Sequence, residues 1–132
     1  MPDVRIDTRG VPKAPVYEEA PTVLHRPQLT APDSSDPTAA ASGVNCGGFR
    51  RVRFDIDTAG SSGLTALKVQ ILNWNTGAGK YFRGGTREFS QQELDANPIP
   101  ALEAEVRGAT VFLKIVSATA SSLLLNVYAT PS

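Results

Sequence analysis

Seven of the ten prolines fall between Pro2 and Pro37, one every few residues, and that spacing divides the 132-residue sequence into two unlike parts. A proline inside a helix deletes a hydrogen bond and clashes with the preceding turn. Inside a central strand it deletes a ladder donor, so neither element is expected to propagate through this stretch. The segment is predicted to be an extended arm over residues 1–45, ahead of a body over residues 46–132. Drawn out in polyproline geometry, at about 3.1 Å per residue, such an arm would reach on the order of 140 Å.

The arm is not the Gly, Ser and charge mixture of a plain linker, because Val4, Ile6, Val11, Val16, Tyr17, Val23, Leu24 and Leu29 stand between its prolines. Proline-rich composition alone reads as an unstructured tail. The aliphatic side chains favour a second reading, an arm that orders on a neighbour's surface, with its prolines lowering the entropy lost on docking. Those eight residues are the candidate partner contacts of the arm. Asp33 to Gly43, rich in Ser, Asp, Ala and Thr, reads as a flexible joint.

From Phe49 onward the pattern changes to period two. Val52, Phe54 and Ile56 alternate with Arg51, Arg53, Asp55 and Asp57, and Leu67, Val69 and Ile71 alternate with Lys68 and Gln70, which is the signature of half-buried strands. Asn75 to Gly79 reads as a turn. Lys80 to Arg83 and Thr86 to Phe89 flank Gly84-Gly85, a two-residue hairpin signal. Ser90 and Glu93 have capping-box spacing for a helix that Pro98 and Pro100 limit to about two turns. Leu102 to Arg107, Ala109 to Ser117 and Ser122 to Thr130 alternate again. The fold class expected is all-β, an antiparallel β-sandwich or jelly roll of about seven to eight strands, with one short helical turn and an extended N-terminal arm. Phe112, Val116, Leu124 and Tyr128 lie on strand faces opposite the core and are too apolar for open solvent, so the arm or a neighbouring subunit is expected to cover them.

Lysine plus arginine equals aspartate plus glutamate at 13 each, and the chain has no polybasic tail, which disfavours nucleic acid and anionic membranes as partners. A single cysteine, Cys46, leaves no internal disulfide framework and suits a reducing compartment. The N-terminus lacks the apolar run of a signal peptide, so assembly in a cytoplasm is expected.

Catalytic chemistry finds little support. His25 is the one histidine and lies in the arm, and with Cys46 it supplies too few ligands for zinc and no oriented base for a nucleophile. Gly77-Ala-Gly79-Lys80 lacks the upstream glycine and the following Ser or Thr of a phosphate loop. Asp55 with Asp57, and Glu103 with Glu105, share strand faces with arginines and read as an alternating charged surface. No catalytic residue, metal site, cofactor or small-molecule substrate is therefore assigned. The best ligand platform is Trp74 with Tyr81, two aromatics around the Asn73 to Gly79 turn that would suit a sugar ring or a protein partner.

An extended, proline-punctuated arm from Pro2 to Pro37 ahead of a sandwich from Phe49 to Thr130 resembles, in architecture, the decoration or cement proteins of tailed-bacteriophage capsids. The resemblance implies a structural virion protein that binds the major capsid protein and copies of itself, with arms lying across neighbouring subunits and bodies meeting as homotrimers. The alternative class is a carbohydrate- or receptor-binding module of a phage tail or fibre.

Overall fold

The period-two alternation becomes strands, as residues two apart share a face of a pleated chain. The computed structural model describes residues 21–96 and 98–132. Among them run β1 (Val23–Leu29), β2 (Val44–Asn45), β3 (Arg51–Asp57), β4 (Ala66–Asn75), β5 (Lys80–Phe89), β6 (Leu102–Glu105), β7 (Thr110–Thr119) and β8 (Leu125–Pro131). They form two four-stranded antiparallel sheets, one in the order β1-β8-β3-β6 and the other in the order β2-β7-β4-β5. First thus pairs with last, second with seventh, third with sixth and fourth with fifth. This is a double ribbon rolled on itself, the jelly-roll topology.

The core fills the space between the sheets. Val52, Phe54 and Ile56 of β3 and Leu125, Val127 and Ala129 of β8 face Leu67, Val69 and Ile71 of β4 and Val111, Leu113 and Ile115 of β7. Each large side chain fully buried there contributes roughly 1.5–3 kcal/mol of transfer free energy, which makes this layer the main source of stability. Cys46, fully buried, belongs to the same cluster, and burial pushes its thiol up to about 11.

Between β5 and β6 the chain makes one short helix, α1 (Gln91–Asp95), started as its sequence predicts. The Ser90 hydroxyl accepts the Glu93 N–H at 3.1 Å and the Glu93 carboxylate accepts the Ser90 N–H at 2.9 Å, closing the capping box. Leu94 anchors the helix in the core.

Three expectations are corrected. The boundary at residue 45 falls inside the sandwich, because β1 and β2 come from the stretch assigned to the arm and complete one edge of each sheet. The Asp33 to Gly43 stretch is no loose joint, being tied to the body by the contacts described below. Gly84-Gly85 is not a hairpin: both glycines lie within the continuous strand β5. Gln70 pairs with Thr86 and Leu72 with Arg83, so Ile71 alone faces two glycines, which makes a β-bulge. The turn that joins β4 to β5 is Asn75 to Gly79, where the Gly79 N–H donates to the Asn75 carbonyl at 2.8 Å and Gly79 takes φ +67°.

Candidate interaction surface

The residues between β1 and β2 form a strap across the outside of the second sheet. β2 is only two residues long and pairs with β7 at Thr110 and Val111, so the β7 ladder beyond it needs other partners. Side chains supply them. His25 Nε2 accepts the Leu113 N–H at 3.1 Å, and the Arg26 guanidinium donates to the Leu113 carbonyl at 2.9 Å. The Asp33 carboxylate accepts the Ile115 N–H at 2.8 Å while the Asp33 N–H donates to the Ile115 carbonyl at 2.9 Å. Arg26 and Asp33 also form a two-pronged ion pair at 2.7 and 2.9 Å. A bare strand edge is thus completed by three residues of the chain itself, one of the ways proteins guard an edge against foreign strands.

A register irregularity in β1 between Leu24 and Arg26 sets His25 outside the regular pairing. Its ring lies 5.8 Å from that of Phe54 and 5.2 Å from that of Phe112, edge-on to the latter. Burial, reinforced by the adjacent Arg26 charge, lowers its pKa to about 4 against an opposing pull from Asp33, so the ring is neutral at neutral pH and can accept a hydrogen bond. Burial raises the Asp33 carboxyl, but the hydrogen bonds from Arg26 and Ile115 and the charges of Arg26 and Lys114 outweigh it and hold the group below the ordinary carboxylate range.

Farther along the strap, Asp36 takes Lys114 at 2.6 Å and Arg83 at 2.9 Å, and these hydrogen bonds lower its pKa. The Tyr81 hydroxyl donates to the Ala40 carbonyl at 2.8 Å. Beneath lies a second apolar cluster of Leu72, Tyr81 and Phe112, with Trp74 packed against it. Trp74 meets Tyr81 edge-on at 5.0 Å, and the Arg26 guanidinium stacks 4.4 Å above the Phe112 ring.

This arrangement redistributes the residues singled out by sequence. Val4, Ile6, Val11, Val16 and Tyr17 lie outside the described residues. Val23 and Leu24 are exposed on β1, at 43% and 50%. Leu29, on the same strand, packs against the core instead. Phe112 is buried under the strap, which answers what covers it: the chain's own residues 25–43. The Trp74 and Tyr81 platform is not open either, since Tyr81 is buried and hydrogen-bonded to the strap. Val116 is half-buried on β7. Leu124 packs against the turn at Gly60, its backbone held on both sides by the Ser61 hydroxyl.

Tyr128 is exposed on the outside of the other sheet, paired with Leu24 of β1 and Asp55 of β3. The four body residues therefore make no single patch, because Phe112 and Tyr128 lie on opposite outer faces of the sandwich. What remains on the outer face of the first sheet is a short apolar strip of Leu24 and its cross-strand partner Tyr128, while Val23, opposite the buried Ala129, is exposed at the strand edge on the core side. The strip is flanked by charge from β3 and β6, where Arg51 meets Glu103 at 3.5 Å and Arg53 meets Asp55 at 3.2 Å. Two shallow grooves border the strip. One is lined by Pro21, Val23, Leu24, Ala41, Val44 and Pro131, and the other by Asp55, Thr58, Pro98, Ile99, Ala101 and Tyr128. The sequence reading assigns Leu24 to the arm and Tyr128 to the body, and only the β1–β8 pairing brings the two onto one face. No protein-family model, no curated protein and no solved structure matches the chain.

Proposed function

We propose that the chain is a structural virion protein, a decoration or cement protein of a tailed-phage capsid, which binds neighbouring subunits of the shell through its sandwich and its leading segment. The observation that carries this reading is the apolar strip of Leu24 and Tyr128 on the outer face of the first sheet, next to the exposed Val23 at the strand edge and close in sequence to Pro21, where residues 1–20 join. Solvated single apolar residues are ordinary, but a cross-strand apolar pair with grooves at either side fits a docking surface. The jelly roll itself is shared by viral capsid domains, lectins and cupins, so it is compatible with this role without implying it.

The mechanism is attachment by several weak contacts made by one chain. Apolar side chains of the leading segment, Val4, Ile6, Val11, Val16 and Tyr17, seat on the shell while the strip of the body rests against it, and effective concentration joins the two. The carbohydrate- or receptor-binding alternative loses its proposed platform, since the strap covers Tyr81.

The test is co-sedimentation. Produced from its native genome, the full chain is expected to travel with assembled shells in a density gradient and to appear as ordered density on them by electron microscopy. Deletion of residues 1–20, or Leu24→Asp with Tyr128→Asp, is expected to release it to the top of the gradient with its fold intact. Failure of the full chain to travel with shells overturns the reading.

A further inference from the structure

The two sheets have four edge strands, and three of them are poor templates for another strand. β2 has two residues and β6 four, while β1 contains Pro27 and two register irregularities. β5 differs from all of these. It has ten residues, no proline and, among the described residues, a pairing partner on one side only, β4, and it carries Phe82 at 49% exposure. A long unpaired edge with an exposed aromatic is what soluble proteins ordinarily blunt.

We propose that the β5 edge is a homodimer interface, in which β5 of a second copy pairs antiparallel across a two-fold axis between Gly84 and Gly85, joining two four-stranded sheets into one of eight strands. The argument is one of register. Tyr81 and Arg83 face outward, opposite Trp74 and Leu72, and Thr86 and Glu88 face outward as well, opposite Gln70 and Lys68. Phe82, Arg87 and Phe89 face the core side, opposite Asn73, Val69 and Leu67. The bulge at Gly84-Gly85 thus reverses the alternation halfway along the strand.

A two-fold axis at that point sets Arg83 opposite Thr86, Phe82 opposite Arg87, Tyr81 opposite Glu88 and Lys80 opposite Phe89 of the second copy. Each of these pairs matches in face. In a strand without the bulge, the same register would set every pair on opposite faces, which antiparallel pairing forbids.

The chemistry of those pairs is complementary. No two like charges stand directly opposite. Arg83 lies diagonal to Glu88 of the second copy on the same face, within reach of long side chains, and the symmetry repeats the contact. The exposed Phe82 ring receives the Arg87 guanidinium of the second copy, a cation–π arrangement. A bulge at an edge ordinarily turns a strand from partners, but these two residues have no side chains. A Cβ at Gly85 would meet nothing within 4 Å in the single chain, so the approach to the axis is open.

The experiment is sedimentation equilibrium of the full chain over a concentration series, with no shell present, so that its failure leaves the virion reading untouched. The parent is expected to shift from the mass of one chain to twice that mass. Gly85→Lys adds a side chain that has room in the single copy but intrudes at the axis. It is expected to remain single at every concentration where the parent is paired, with an unchanged urea midpoint. Glu88→Arg, which places like charges on both diagonals, is expected to weaken association roughly tenfold at low salt. A parent that stays single, a parent that forms trimers, or variants that pair as tightly as the parent would overturn the proposal.

Discussion

The imidazole of His25, on β1 of one sheet, accepts the backbone N–H of Leu113, on β7 of the other, at 3.1 Å. Only a neutral ring can do so, since protonation turns Nε2 from acceptor into donor and sets a cation beside Arg26. The two sheets are therefore latched on this side by a group whose protonation breaks the latch.

The consequence is acid sensitivity with a defined window. The folded pKa of about 4 lies below the ordinary value of 6.5, so between these two the unfolded chain binds more protons than the folded one. Stability is then full above pH 6.5 and falls as the pH drops toward 4, by about 3 kcal/mol in all. The lowered carboxyls of Asp33 and Asp36 extend the loss to still lower pH. Urea unfolding at a series of pH values checks this. His25→Gln, which keeps an acceptor without a titrating proton, is expected to flatten the slope between pH 6.5 and 4. Equal slopes in the two proteins would exclude His25 as the cause.

Asp33 is the second half of the latch. Asp33→Ala strips Arg26 of its ion pair and leaves the Ile115 N–H without its acceptor, in a place where both partners are mostly shielded from water. The expected cost is about 3 kcal/mol, and Asp33→Asn, which retains an acceptor oxygen, is expected to lose about half of that. The measurement is the urea midpoint, with an unchanged denaturant slope showing that only stability has moved.

Gly43 marks where the strap re-enters the sandwich. A Cβ there would stand 2.5 Å from the Tyr81 hydroxyl, 2.6 Å from Thr110 Cγ2 and 2.8 Å from the Val111 carbonyl oxygen, so Gly43→Ala must displace the strap end or β7. A loss of about 1–3 kcal/mol is expected, against near-neutrality for Gly85→Ala, where the same atom meets nothing. Trp74, the only tryptophan, packs beside Tyr81 and makes its emission the local probe of strap displacement.

Strands β3, β4, β6, β7 and β8 were legible in the sequence because apolar residues recur at every second position in each, whereas β5 reads as two strands about Gly84-Gly85. β1 was not legible, because Pro27 and its neighbours argue against a strand there, and the contacts that hold it come from afar. His25 and Leu113 are 88 residues apart, a pairing no local pattern reveals. Gly84-Gly85 was misread for a related reason. Two glycines between apolar alternations mark a turn if the chain reverses and a bulge if it continues, and only the β4 register decides between them. Alternation likewise placed Phe112 and Tyr128 on the outside of their own strands, but it says nothing of which outer face a strap will cover.

The strap also changes what truncation should do. Were residues 1–45 a detachable arm, removing them would leave a stable body. Instead their second half supplies β1, β2, His25, Arg26, Asp33 and Asp36, and the cut would bare the edges of β7 and β8 together with the Leu72, Tyr81 and Phe112 cluster. Deletion of residues 1–45 is therefore expected to yield an aggregating or unfolded chain. Deletion of residues 1–20 removes none of these contacts and is expected to leave the thermal midpoint within a few degrees of the parent's, as about 1 kcal/mol corresponds to roughly 4 °C in a domain of this size. Circular dichroism melts of the two truncations decide between the descriptions. A cooperative melt near the parent's for the longer deletion would show that β1 and the strap are dispensable to the fold.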